Sequence, residues 1–327
     1  MRRPEQGEIQ SIIDDIYGKP DIEAVRKEMR KVANGQQKSM PKMNKYYFFK
    51  ERTMSTVATG IPFGSILDGD EAFLTVFDHA NKYGNGYYKE DGAGGYAHQC
   101  SRMMTAYARL YRKYHLPSMF DLGRAEEIVS KYNVNGLMYD FSCGWGQRLV
   151  AALALGLDYY GTDTNPELCK CLEDCAKEFI NVNSLTNHAT ILNQPSEIPI
   201  PGLENSVGLC FSSPPYFDYE KYRGESTSTK LYPEYPMWRN NYIKRTLENC
   251  RTYLVDGGHL AIKVKTIDRK CPIYEDTLDI ATGLGLELVA EEPYKVSIRT
   301  GAKNQKNKVL GYADERIMVF RKGTLRK

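Results

Sequence analysis

Apolar residues recur along this chain at two different spacings, and the change falls near residue 135. Up to residue 134 the spacing is that of amphipathic helices, as Ile9, Ile12 and Ile16 illustrate, and glycine or proline follows several of the runs. The pattern predicts helices over residues 9–16, 22–32, 68–83, 96–114 and 124–132. It also predicts a polar loop over 36–45, which Pro41 interrupts, and a glycine-rich surface loop over 84–95.

From residue 135 onwards, short apolar runs alternate with helical patterns. The predicted strands are 137–141, 159–163, 189–193, 207–211, 259–264, 286–290 and 316–320, and the predicted helices are 147–155, 166–182, 235–254 and 273–282. Alternation of this kind implies parallel crossovers and an α/β fold with a doubly wound sheet. The last two strands have no helix between them and are predicted to pair antiparallel. The chain is therefore divided into a mainly helical region, 1–134, and an α/β domain, 135–327.

Composition places few limits beyond those of an ordinary globular protein, since 42% of the 327 residues are hydrophobic and 26% are charged. No apolar stretch is long enough to span a bilayer. No apolar signal core follows Met1, so a cytoplasmic protein is expected. The eight cysteines lack regular spacing, and no ligand pair faces the cluster of Cys169, Cys171 and Cys175. Neither a disulfide framework nor a metal site is predicted.

The net charge of +3 hides a local excess of basic residues near the carboxyl end. Ten Lys and Arg residues lie between Pro293 and Lys327, against Asp314 and Glu315. Such a cluster fits contact with a phosphate backbone, and it equally fits a solvated basic tail.

Glycines and carboxylates follow the first two predicted strands of the α/β domain. Asp140-Phe141-Ser142-Cys143-Gly144-Trp145-Gly146 lies where the first strand turns into a helix, and the glycines permit a sharp turn and close approach of a ligand. Asp163 ends the second strand, where a carboxylate is able to accept both ribose hydroxyls of a nucleotide-like ligand. A dinucleotide fingerprint requires a third glycine at 149, which this chain lacks.

Asp140 with Gly144 and Gly146 instead resembles the first motif of the S-adenosylmethionine-dependent methyltransferases. That resemblance implies a Rossmann-like, seven-stranded mixed sheet with its last strand antiparallel, here with an N-terminal mainly helical extension. It also implies S-adenosylmethionine as the cofactor. The cofactor-binding residues expected from it are Asp140, Ser142, Gly144, Gly146, Asp163 and Asn193, the last standing where many relatives carry a carboxylate.

A rigid tip, Ser213-Pro214-Pro215-Tyr216, directly follows the apolar run at 207–211. Proline cannot donate to a sheet ladder, so the two prolines stop the strand and fix an extended conformation. This tetrad resembles the fourth motif of DNA methyltransferases that modify exocyclic amino groups. In that family the first residue and the carbonyl of the first proline accept the hydrogens of the amine, which localises its lone pair for attack on the sulfonium methyl. The aromatic residue stacks on the base after it leaves the duplex.

The first residue of the tetrad bears on the choice of base. Serine resembles the cytosine-N4 enzymes more than the adenine-N6 enzymes, so cytosine is favoured. In this chain the Asp140–Gly146 motif comes before the tetrad, an order that is less usual among enzymes with this tetrad. A compact single-chain enzyme of this kind resembles phage or restriction–modification methyltransferases.

Duplex DNA with a flipped base is the expected partner. The residues predicted to contact nucleic acid are Tyr219, Lys221, Arg299, Lys303, Lys306 and Lys308. No separate target-recognition domain fits after Tyr216, so the helical region would share target recognition or cover the cofactor. Two alternatives stay open: an N-methyltransferase acting on RNA or a protein amide, and a catalytically silent nucleic-acid-binding module on the same fold.

Overall fold

The computed structural model describes residues 4, 6–57, 61–67, 70–83, 103–104, 106–107, 110, 116–266, 270–294 and 315–323. The chain divides into two compact units, each considered by itself below. The first unit contains Met1–Lys27, Pro41–Ser118 and Glu220–Arg223, and the second contains Glu28–Met40, Met119–Tyr219 and Gly224–Lys327. The functional division at residues 134 and 135 stays a prediction.

Helices predominate in the described part of the chain before residue 134. They are α1 (Gln6–Tyr17), α2 (Ile22–Ala33), α3 (Pro41–Met43), α4 (Phe49–Thr53), α5 (Phe63–Leu67), α6 (Asp70–Tyr83) and α7 (Leu122–Tyr132). The core of the first unit contains the buried faces of α1, α5 and α6, with Ile16, Phe63 and Phe73 among its buried side chains. In the same unit the short strand β1 (Thr56–Val57) pairs antiparallel with β6 (Glu220–Lys221).

The predicted polar loop at 36–45 is wrong in its second half. A continuous helical run begins at Pro41, with π-helical turns at Asn44–Phe48 between α3 and α4. Pro41 begins this run, and proline is favoured at the first position of a helix because the N–H that it lacks has no intrahelical partner there. The proline therefore marks a helix start and not a break. The predicted helix at 96–114 and the loop at 84–95 lie largely outside the described residues.

The second unit contains a seven-stranded sheet. Its strands are β2 (Leu137–Asp140), β3 (Asp158–Asp163), β4 (Ala189–Asn193), β5 (Val207–Ser212), β7 (Leu254–Val264), β8 (Leu286–Pro293) and β9 (Arg316–Lys322). They lie in the order β4-β3-β2-β5-β7-β9-β8, with only β9 running opposite to the others. This is the Rossmann-like methyltransferase sheet that the sequence predicts, and the fold-class prediction is confirmed.

Helices connect the strands of this sheet. They are α8 (Gln147–Ala154), α9 (Pro166–Asn183), α10 (Ser228–Leu231), α11 (Tyr235–Trp238), α12 (Lys244–Tyr253) and α13 (Ile273–Gly283), with π-helical turns at Arg239–Ile243 between α11 and α12. The predicted fifth strand begins earlier than expected, at Leu254, and its register against β5 shifts before His259. Among the described residues, no helix has both the length and the apolar character needed to cross a membrane.

Parallel pairing brings the chemically interesting residues to one edge of the sheet. Asp140 lies opposite Gly161 in β3, and Asp163 lies opposite Asn193 in β4. On the other side of β2, Tyr139 lies opposite Cys210, so β5 ends with Ser212 at the same edge. Since every residue of β5 is buried, the segment that follows it leaves the sheet from a rigid base.

Candidate active site

The turn after β2 is shaped by two glycines with left-handed backbone conformations. Gly144 has φ of 58° and Gly146 has φ of 77°, values that an L-residue adopts only with strain. Gly146 directly precedes α8, so the turn delivers the chain into the amino end of that helix. Free N–H groups at a helix amino end favour polar or anionic ligands. The conformation required by the predicted cofactor turn is therefore present.

Asp140 lies beneath this turn and is fully buried. Arg148 contacts both of its carboxylate oxygens, through Nε at 2.8 Å and Nη2 at 3.2 Å. Tyr159 donates to Oδ2 at 3.1 Å, and the backbone N–H of Ser142 donates to Oδ1 at 3.3 Å. Arg148 also donates to the carbonyl of Ser142. Each carboxylate oxygen thus has two partners, and Asp140 holds the turn in place from below; its direct contact with a cofactor stays a prediction.

Cys143 presses this turn against the neighbouring strand. Its thiol lies 3.3 Å from the carbonyl of Thr162, and a Cβ placed on Gly161 would come within 2.5 Å of its sulfur. Gly161 therefore permits the close approach, a role that the pattern of apolar residues did not reveal. Burial raises the pKa of the Cys143 thiol well above its usual value, so this cysteine is neutral and is not a nucleophile.

Asp163 lies at the end of β3 beside the same turn. Its carboxylate accepts the N–H of Gly144 at 3.4 Å and the N–H of Asn165 at 3.1 Å. Burial, opposed by these backbone hydrogen bonds, raises the pKa of Asp163 to about 6. Asn193 donates to the backbone carbonyl of Asp163 at 3.0 Å. Asn193 therefore leaves the carboxylate oxygens to other partners.

The tetrad directly follows β5 and lies next to the turn formed by Asp140–Gly146. The Ser212 hydroxyl donates to the carbonyl of Ser142 at 3.4 Å, which joins the root of the tetrad to the turn. Ser213 and Pro215 are half-buried, whereas Pro214 is buried. Within the described residues, the Ser213 hydroxyl has no hydrogen-bond partner. A group bound beside the turn would therefore find this hydroxyl available.

Tyr216, the last residue of the tetrad, is buried, with 6% of its surface exposed. Its hydroxyl donates to Glu315, which also pairs with the buried Lys263. Phe217 follows with a left-handed φ of 50°, and its ring packs against Tyr235 and Trp238. The structure thus holds the Tyr216 ring within the unit, and its stacking on a base stays a prediction.

The predicted nucleic-acid residues are only partly described. Tyr219 is exposed, at 40% of its surface. Lys221 is exposed in β6 of the first unit. Arg299, Lys303, Lys306 and Lys308 lie outside the described residues, so these contacts stay predictions.

Sequence reasoning missed four polar residues that the fold brings to this edge. Lys263, in β7, and Glu315, just before β9, support Tyr216. Tyr242 contacts Ser142 of the turn, and Ser196 contacts Thr246. Each of these contacts joins residues at least 50 positions apart along the chain. No local motif in the sequence marks them.

Comparisons with known proteins add little to this geometry. No family model matches the chain, and no curated protein matches it. Similar solved structures include a TehB-like S-adenosylmethionine-dependent methyltransferase from Corynebacterium glutamicum, with 16% identity over 61% of this chain and 86% of that one, at a TM-score of 0.40. A tRNA methyltransferase from Aquifex aeolicus has 13% identity over 63% and 71% of the two chains, at 0.40. The [4+2]-cyclase SpnF has 16% identity over 82% and 98%, at 0.41.

Proposed function

We propose that this protein transfers a methyl group from S-adenosylmethionine to an exocyclic amino group of a DNA base, with cytosine N4 favoured over adenine N6. The observation that carries the proposal is the junction of the tetrad with the glycine turn. Ser213-Pro214-Pro215-Tyr216 leaves β5 beside the strand that ends in Asp140, and Ser212 is hydrogen-bonded to Ser142 of the turn. An amine held by the tetrad would face a ligand held by the turn.

The residues at the turn fit S-adenosylmethionine. Gly144 and Gly146 have no side chain to block a ligand at the turn. The half-buried carboxylate of Asp163, which accepts the N–H of Gly144, would accept the ribose hydroxyls. Asp140 and Arg148 fix the turn from below and so reduce the conformational freedom lost on binding. The cofactor supplies a methyl group on a positively charged sulfur.

The chain's own part in the reaction is to prepare the amine. Conjugation with the ring makes the nitrogen of cytosine or adenine a poor nucleophile. The Ser213 hydroxyl oxygen and the Pro214 carbonyl would accept its two hydrogens and localise the lone pair on nitrogen. With S-adenosylmethionine bound at the turn, the N–C bond would form as the S–C bond breaks, and the nitrogen would release a proton to water. Positioning supplies most of the rate, since no covalent intermediate with the protein is needed.

Nucleic acid as the methyl acceptor is supported by charge and by exposed aromatic surface. The segment from Pro293 to Lys327 has ten basic residues and two acidic ones, and Tyr219 is exposed three residues after the tetrad. Basic residues bind phosphates, and aromatic faces stack on unpaired bases. The serine in the first position of the tetrad favours cytosine over adenine on the family resemblance.

Labelled methyl transfer from S-adenosylmethionine to duplex DNA tests the proposal. Ser213→Ala is expected to reduce the rate by at least about 100-fold, because it removes one of the two acceptors that prepare the amine. Ser206→Ala is the matched control: it alters a serine just before the amino end of β5, where the hydroxyl donates to Leu203. An equal loss in both variants, or no loss in Ser213→Ala, would contradict the assigned role.

The nature of the acceptor is decided by mass analysis of the products. Nucleosides from treated DNA are expected to contain N4-methylcytosine. N6-methyladenine would keep the enzyme class and change the base. Methyl transfer to RNA or to a protein amide, with none to DNA, would replace the proposed substrate. Retained DNA binding without any cofactor binding in calorimetry would identify a catalytically silent module.

A further inference from the structure

Tyr242 lies in the π-helical segment Arg239–Ile243, between α11 and α12. Its side chain is buried, with 5% of its surface exposed. Short π-helical segments inside longer helices occur frequently at functional sites, because the extra residue per turn redirects side chains. Here the segment directs the Tyr242 hydroxyl to within 3.2 Å of the Ser142 hydroxyl, in the turn after β2.

Ser196, in the segment after β4, lies near enough to the Tyr242 hydroxyl to act on its pKa. Ser196 in turn lies 2.9 Å from the Thr246 hydroxyl, one helical turn after Tyr242. A chain of hydroxyl groups thus joins α12 to the segment after β4 and to the turn after β2. Because β3 lies between β4 and β2, this chain spans the strand that ends in Asp163. The Asp163 carboxylate is close enough to act electrostatically on Tyr242.

The direction of the hydrogen bonds follows from counting hydrogens. A serine hydroxyl has one hydrogen, and that of Ser142 is donated to the carbonyl of Phe141 at 2.7 Å. Tyr242 therefore donates to Ser142. Burial raises the pKa of Tyr242 above its usual value, so the tyrosine keeps its proton at neutral pH. Hydrogen bonds aligned in one direction polarise one another.

We propose that Tyr242 is a positioning residue for the cofactor, acting through Ser142 to hold the Asp140–Gly146 turn in the conformation that binds the adenosyl group of S-adenosylmethionine. The inference rests on the proposed function. The turn has two fixed sides: Arg148 and Asp140 hold it from below, and Tyr242 holds its Ser142 side chain from the opposite segment. Without the Tyr242 hydroxyl, the bond to Phe141 is the one that the Ser142 hydroxyl keeps among the described residues.

Trp238, the last residue of α11, makes a second contact that reaches the tetrad. Trp238 packs on Tyr242, with ring centroids 5.3 Å apart, and on Phe217, with centroids 5.6 Å apart. Phe217 directly follows Tyr216. A cluster of tilted and edge-on aromatic rings thus connects Tyr242 to the residue after the tetrad, so that Tyr242 is placed by packing as well as by its hydrogen bond.

Calorimetric binding of S-adenosylhomocysteine to the full chain tests the proposal without any methyl acceptor. Tyr242→Phe removes one hydroxyl and keeps the ring that packs against Trp238. Its dissociation constant is expected to rise about 3- to 10-fold, the effect of one lost hydrogen bond. Ser142→Ala is expected to give a similar rise, and the double variant is expected to bind no more weakly than the weaker single variant, because both changes break the same link.

Tyr253→Phe is the matched control. Tyr253 is a second buried tyrosine of the same helical run, and its hydroxyl accepts the N–H of Ile200 at 2.6 Å, away from the turn. Tyr253→Phe is expected to lower the melting temperature without changing the dissociation constant. An unchanged constant in Tyr242→Phe, or fully additive effects of Tyr242→Phe and Ser142→Ala, would overturn the inference. Absence of binding by the unaltered protein would overturn the proposed function as well.

Discussion

The Tyr216 hydroxyl donates a hydrogen bond to Glu315 Oε1 at 3.3 Å, which ties the last residue of the tetrad to the residue just before β9. Lys263 Nζ lies 3.2 Å from the other oxygen of the same carboxylate. The side chains of Lys263 and Glu315 are 6% and 11% exposed. The tetrad is thus supported on one side by a nearly buried ion pair that spans two strands of the sheet.

Removal of the lysine charge is expected to destabilise this support. Lys263→Met leaves the Glu315 carboxylate nearly buried without its cation, and the free energy of unfolding is expected to fall by about 3 kcal/mol. Adding Glu315→Gln to that variant is expected to restore part of the loss, because an amide carries no charge. Urea denaturation measures both changes.

Arg321→Met is the control for this experiment. Arg321 pairs with Glu287 at 2.8 Å, but both side chains are at least half exposed. Its removal is expected to cost less than about 1 kcal/mol. Equal losses for Lys263→Met and Arg321→Met would contradict the buried character of the pair beside Tyr216.

Asp163 is expected to make stability and cofactor binding respond to pH in opposite directions. Burial raises the pKa of Asp163 from 3.8 to about 6 in the folded chain. The folded state therefore binds this proton more tightly than the unfolded state does. The stability that this proton contributes is fully present below pH 3.8 and is lost as the pH rises through 6. The proposed ribose contact uses the charged carboxylate, so cofactor binding is expected to weaken as the pH falls through the same range.

Asp163→Asn separates the two effects. At pH 7.5 the free energy of unfolding of the variant is expected to exceed that of the unaltered protein by up to about 3 kcal/mol, and the difference is expected to shrink as the pH falls towards 3.8. Its affinity for S-adenosylhomocysteine is expected to fall at least tenfold at pH 7.5. Urea denaturation and calorimetry across pH 4 to 8 measure both quantities. A variant that is less stable at pH 7.5 would contradict the raised pKa.

Arg148 is expected to be irreplaceable by another cation. Its guanidinium contacts both oxygens of the buried Asp140, an arrangement that the single ammonium of lysine cannot reproduce. Arg148→Met leaves Asp140 buried without its cation, at an expected cost of about 3–5 kcal/mol in unfolding free energy. Arg148→Lys is expected to lie between Arg148→Met and the unaltered protein in urea denaturation.

Lys244→Met controls for loss of a cation in general. Lys244 lies 4.0 Å from Glu248 on an exposed face of α12, and its loss is expected to cost no more than about 0.5 kcal/mol. If Arg148→Met were as mild, Asp140 would not depend on the buried pair. Cofactor affinity measured on the same variants reports whether a loosened turn also binds less tightly.

At position 217, replacement by glycine is expected to destabilise the protein less than replacement by alanine. Its φ of 50° lies in the left-handed region, which costs an L-residue about 1 kcal/mol relative to glycine. Phe217→Gly and Phe217→Ala both lose the packing on Trp238 and Tyr235. Phe217→Gly is therefore expected to be the more stable of the two by about 1 kcal/mol in urea denaturation.

Ser184 provides the comparison, since it has φ of 52° at the carboxyl end of α9. Ser184→Gly is expected to be more stable than Ser184→Ala by a similar amount, with methyl transfer unchanged in both. Methyl transfer is expected to fall in both Phe217 variants, because the ring that braces the tetrad is gone. Full activity in Phe217→Ala would show that the tetrad is held without this ring.

Local features of the sequence were sufficient to predict most elements of the sheet unit. The strand end at Asp163 follows from a short apolar run, whereas β2 ends at Asp140, one residue before its predicted end. The tetrad is rigid because two adjacent prolines restrict their own backbone. These signals act between residues that are close in sequence, so they need no tertiary structure. Where a local signal has two meanings it misleads, as at Pro41, which starts a helix and does not interrupt one.

The sequence by itself therefore determined the alternation of strands and helices, the glycine turn and the Ser-Pro-Pro-Tyr tip. Only the tertiary structure decided which distant side chains support them. Tyr242 meets Ser142 across 100 residues, and Glu315 meets Tyr216 across 99. Such pairs depend on the order of strands in the sheet and on the π-helical turn that redirects Tyr242. Their geometry arises from packing, for which no residue pattern within one segment provides a signal.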